Sequence, residues 1–135
     1  MGLLDRWRAR ARDEGGDEDD AGAPPPVDVA ARSAQLIELD DALRSLARGM
    51  AADTDRMRNP GWSGKVADYR AVAAESATLE RDGFDRASLT DLVNQVVPLF
   101  RPGTEVPREY VDVAEAHQRV LDAADAIRAV LPSEQ

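Results

Sequence analysis

The chain has 135 residues, room for one small domain, with 43% hydrophobic and 32% charged residues and only 4% aromatics. It has no cysteine, which excludes a disulfide framework, thiolate catalysis and thiolate metal sites. A net charge of −9 disfavours binding to polyphosphate, so nucleic acid is not an expected partner. Lys65 is the single lysine, and the wealth of Arg, Ala, Asp and Val fits a GC-rich bacterial genome. No apolar run approaches the ~20 residues of a membrane span, and the start lacks the apolar stretch and cleavage site of a classical signal peptide. These observations predict a cytoplasmic protein.

Residues 1–12 read as a short basic amphipathic arm. At a helical step Leu3, Leu4 and Trp7 share a narrow face, with Arg6 and Arg10 along one side. Such a face fits weak peripheral contact with the inner face of a membrane, or with a protein surface. Residues 13–27 read as a linker. Asp13 to Asp20 hold six acids and no base, and Pro24-Pro25-Pro26 follow; this composition buries almost nothing and predicts disorder.

Residues 28–132 carry the domain. From Val29 to Arg58, Val29, Leu36, Leu39, Leu43, Leu46, Met50 and Met57 recur at gaps of mostly three and four, one heptad-like stripe of a long helix. Asp28 is its expected N-cap. Gly49 sits among Ala47, Ala51 and Ala52, where a second helix is expected to approach closely. Asn59-Pro60-Gly61 is read as the stop.

Ser63 is the expected cap of a second helix running to about Asp82, with Val66, Tyr69, Val72, Ala73, Ser76 and Leu79 inward and Gly83 ending it. Ser88-Leu-Thr-Asp91 has the form of a capping box. Leu89, Leu92, Val93, Val96, Val97 and Phe100 then follow a helical period, which Pro98 should end or kink near Val97. Pro107 suits the first turn of a last helix, whose stripe is Tyr110, Val113, His117, Val120, Ala124, Ile127 and Leu131.

The predicted fold is all-α, an antiparallel bundle of about four helices. At 1.5 Å per residue the first would be roughly 45 Å long and the last roughly 37 Å. The second is expected to be shorter and the third half-length, leaving part of the first stripe uncovered and free for self-association or a partner helix.

The chemistry-bearing residues do not assemble a recognisable site. His117 is the only histidine, and Glu115-Ala-His117 lacks the spacing of a di-metal bundle motif, so a packed or hydrogen-bonded core histidine is expected. Asp53-Thr-Asp55 opens like a calcium loop, but Met57 and Arg58 stand where an oxygen ligand and glycine are needed. No phosphate loop or dinucleotide fingerprint is present. Catalytic, cofactor and metal residues are therefore expected to be none. An up-down course brings Met57, Trp62, Phe100 and Tyr110 to one pole, as either a hydrophobic plug or a binding patch.

Trp62-Ser63-Gly64, read in a break between two helices, resembles the Trp-x-Gly turn of the small helical-hairpin proteins of the WXG type. That resemblance implies an exported, dimeric helical hairpin. The chain departs from the family's tyrosine-to-acid export signal: Ala73 and Ala114 stand where acids are needed after Tyr69 and Tyr110. The reading from the residues is instead a non-enzymatic helical module that binds another protein, with self-association as a further route. An enzyme or ligand-binding bundle without a recognisable motif is the third alternative.

Overall fold

The computed structural model describes residues 28–101 and 103–131. The arm, with Leu3, Leu4, Arg6, Trp7 and Arg10, and the acidic linker lie outside the described residues. Within them the chain is all-helical. Four α-helices are present: α1 (Val29–Ala51), α2 (Pro60–Asp82), α3 (Arg86–Asn94) and α4 (Ala114–Val130). Two 3₁₀ segments, Arg56–Arg58 and Arg108–Val113, precede α2 and α4.

The stripe on α1 is the centre of the core. Leu36, Leu39, Leu43, Leu46 and Met50 are fully buried, with Ala42 and Ala47 between them. Val66, Tyr69, Val72, Ala73 and Ser76 of α2 meet this stripe, as do Val120, Ala123, Ala124 and Ile127 of α4. The many alanines keep side chains short where the helices cross, and two hydrogen bonds tie α1 to α2. Near the end of α2 the Ser76 hydroxyl donates to the Leu36 carbonyl at 2.7 Å. At the start of α2 the Trp62 indole N–H donates to the Met50 carbonyl at 3.0 Å. Between α1 and α4, Arg119 pairs with Glu38 at 2.8 Å and Asp41 at 2.7 Å. Hydrogen bonding to Arg119 holds the Glu38 carboxyl below its ordinary value. All three groups face water, so this pair sets register more than stability.

Several boundaries differ from the sequence expectation, each for a local reason. α1 ends at Ala51, a turn and a half or more before Arg58. Asp53 competes for the backbone there: its carboxylate accepts the Arg56 N–H at 3.0 Å and nucleates a separate 3₁₀ turn. Met57 is on that turn, half-buried, and no longer part of the α1 stripe. Asn59-Pro60-Gly61 starts α2. Asn59 is the cap, accepting from the Gly61 N–H at 2.8 Å, and Pro60 takes the first helical position, where its fixed φ is an advantage. Ser63 lies inside the helix. As a result α1 and α2 are equal, 23 residues each.

The capping box of α3 is Asp85 with Ser88, one register earlier than Ser88 with Asp91; Asp85 and Ser88 exchange two 2.8 Å bonds. α3 ends at Asn94 because Pro98 has no N–H to offer the Asn94 carbonyl, and the residue before a proline avoids helical geometry. Gly49 is approached by Val113 of the second 3₁₀ segment, whose Cγ1 would lie 3.4 Å from an added Cβ. At the other end of α1, Val29 is exposed. From Leu36 to Met50 no part of the α1 stripe is left uncovered.

Candidate functional site

Of Met57, Trp62, Phe100 and Tyr110, the structure brings the three aromatic rings together as a column. Trp62 and Tyr110 stack almost parallel, with centroids 5.6 Å apart. Phe100 stacks on Tyr110 at 5.8 Å. The Arg56 guanidinium lies over the Trp62 ring, 5.1 Å from its centre, a cation–π contact. Arg56 is held there by donating to the Glu109 carbonyl and by pairing with Asp53 at 3.5 Å. Met57 packs against the core beside the column without a ring contact of its own.

Two members of this arrangement were not placed in the site from sequence. His117 extends the column, its imidazole 4.5 Å from the Phe100 ring. Its spacing from Tyr110, one heptad along the α4 stripe, was the available signal. Arg56 was the other, and only its adjacency to Met57 hinted at it. His117 is a buried, hydrogen-bonded core residue: it is 2% exposed, and its Nε2 accepts the Leu99 backbone N–H at 3.0 Å. Burial pushes its pKa below the ordinary histidine value.

Exposure separates plug from patch within the column. Trp62 is 8% exposed, with its N–H committed to Met50, and therefore acts as a plug. Phe100 and Tyr110 are half-buried. Burial raises the Tyr110 phenol, with the Glu109 charge adding to the shift, so the hydroxyl stays neutral across the physiological range. Next to these rings in the chain stand Val97 and Val111, which are 62% and 57% exposed. Both ends of the column, Trp62 and His117, are core, and the two rings between them are partly open to solvent.

Elsewhere the surface offers little chemistry. The better-formed hollows are shallow and open. One between α1 and α4 is ringed by Glu38, Glu115, Gln118, Arg119 and Asp122; another lies over Arg86, Ala87, Thr90 and Asp91. Among the described residues no group of three or more His, Asp or Glu is placed to hold a metal ion, and no helix is long and apolar enough to cross a membrane. Trp62, Ser63 and Gly64 sit in the first turns of α2, so the tripeptide is helical and the break precedes it. No family model, no curated protein and no solved structure matches the chain.

Proposed function

We propose that this chain is a non-enzymatic protein-interaction module whose four helices run as an antiparallel bundle, and that it binds its partner through the half-buried rings of the aromatic column, Phe100 and Tyr110. The two α1–α2 hydrogen bonds support the antiparallel reading, since each joins the start of one helix to the end of the other. One observation carries the functional reading. Two of the large apolar side chains that stay exposed, Val97 and Val111, lie within three residues of the half-buried Phe100 and Tyr110 in the chain. Rigid aromatic side chains set in a packed base, with apolar rim residues left to cover, are the anatomy of a binding hot spot. The basic arm, as read from its sequence, adds a weak, salt-sensitive tether to an anionic surface at the inner face of the membrane.

The test keeps the core intact and changes only the rim. A Val97→Glu/Val111→Glu protein should fold with an unchanged melt, because both positions face water. Used as bait in the native host, the parent chain should retain a partner that the double variant loses. If the variant captures the same protein equally well, the pole is not the interface.

A further inference from the structure

We propose that His117 is a pH-sensitive latch: in its neutral form it holds the strap of residues 95–101 against the helices, and its protonation releases that strap. The inference goes beyond partner binding and holds whether or not the pole is an interface.

The strap follows the end of α3 and contains Pro98, which has no N–H to donate. Val96 and Leu99 pack against the core. Side-chain contacts pin it, among them the stacking of Phe100 on Tyr110. The Tyr69 hydroxyl on α2 donates to the Val97 carbonyl. The Leu99 N–H donates to His117 Nε2 at 3.0 Å. The Phe100 ring lies 4.5 Å from the imidazole. Two of these contacts run through one histidine.

An Nε2 that accepts a hydrogen bond carries no proton, so the neutral ring has its proton on Nδ1. Adding a proton at Nε2 turns an acceptor into a donor facing another donor. Leu99 loses its partner, and a charge appears on a side chain that is 2% exposed. The surroundings provide no countercharge. On its own helix, Glu115 is exposed, and Arg119 is engaged with Glu38 and Asp41 of α1. In the preceding segment Glu109 and Asp112 are exposed, and the Tyr110 ring is stacked on Phe100. On the strap, Arg101 is exposed and would repel. On α2 the Tyr69 hydroxyl is spent on Val97, and burial pushes its pKa well up, so it stays neutral. Arg44 and Arg48 of α1 and Asp91 of α3 are also exposed. Burial alone moves the imidazole, downward. The Phe100 face attracts a cation, but it does not replace the lost hydrogen bond.

Releasing the strap moves Phe100 off both His117 and Tyr110, so the column is broken at Phe100 while Trp62 remains on Met50. Because His117 is the only histidine, one imidazole signal reports it. The experiment follows that signal by NMR in the full chain from about pH 7.5 to about pH 5, together with the protection factor of the Leu99 amide. The expected His117 pKa lies below the ordinary 6.5. Between the two values, Leu99 protection should fall about tenfold per pH unit while the Leu43 amide keeps its protection. His117→Gln, which can accept from Leu99 but cannot titrate, should abolish the fall. The titration of the native chain decides the matter even if that variant does not fold. A His117 pKa at or above 6.5, Leu99 protection that ignores the titration, or the same fall in a folded His117→Gln protein would each overturn the latch.

Discussion

Trp62 shows how one side chain can serve both core and surface. Its indole is buried, hydrogen-bonded to Met50 and stacked under Tyr110. Trp62→Ala is expected to cost about 3–5 kcal/mol, since it empties a large volume and leaves the Met50 carbonyl without its extra donor. Chemical denaturation measures this directly; a loss under about 1 kcal/mol would mean the ring is a surface feature. The consequence for His117 is a pH-dependent stability. Its folded pKa is depressed, so its contribution is fully present above the unfolded value of 6.5 and is lost as pH falls through the folded value. The midpoint of urea unfolding should therefore decline from about pH 7 toward pH 5 in the parent chain. In His117→Gln that decline should be absent.

At the scale of elements, the central fact is that α1 is enclosed by α2 and α4 along the whole stretch from Leu36 to Met50. Leu43 lies mid-stripe and is fully buried. Removing a buried Leu alone typically costs about 2–5 kcal/mol, and a carboxylate adds a desolvation penalty. Leu43→Asp should consequently abolish cooperative unfolding, as followed by circular dichroism. Near-parent stability would mean that the stripe does not carry the core. The 3₁₀ turn Arg56–Arg58 and the Asn59 cap matter for a different reason. By ending α1 early, they separate it from α2 by residues 52–59 and set Arg56 over the Trp62 ring. An uninterrupted helix to Arg58 would instead have carried Met57 outward along the α1 axis.

At the scale of the whole molecule, every core member among the described residues falls between Leu36 and Leu131. A chain starting at Val27 should then melt cooperatively, within a few degrees of the full chain, in a calorimetric scan. A broadened or lost transition would assign part of the core to the first 26 residues. The charge distribution is the other whole-molecule property. Net charge is −9, yet the best-defined contact between helices by ion pairing places Arg119 among Glu38 and Asp41 on the outside. Glu38 and Asp41 thus serve register at the surface, and the association proposed above uses the apolar pole instead.

Periodicity alone determined the helical class, the α1 and α4 stripes and the inward face of α2, because burying one side of a helix requires apolar residues every three to four positions. An up-down course was the basis for grouping Met57, Trp62, Phe100 and Tyr110, of which the three rings stack. Helix ends were less legible, because the same short polar residues can stop one helix or start the next. Asn59-Pro60-Gly61 reads both ways until the Asn59 carboxamide is seen accepting from Gly61. Ser88 serves as a third helical residue, where the pattern alone placed a cap. Only the tertiary structure decided the role of His117. The partner of its Nε2 is a backbone N–H from a strap 18 residues away, and no spacing rule encodes a hydrogen bond to a segment without regular structure.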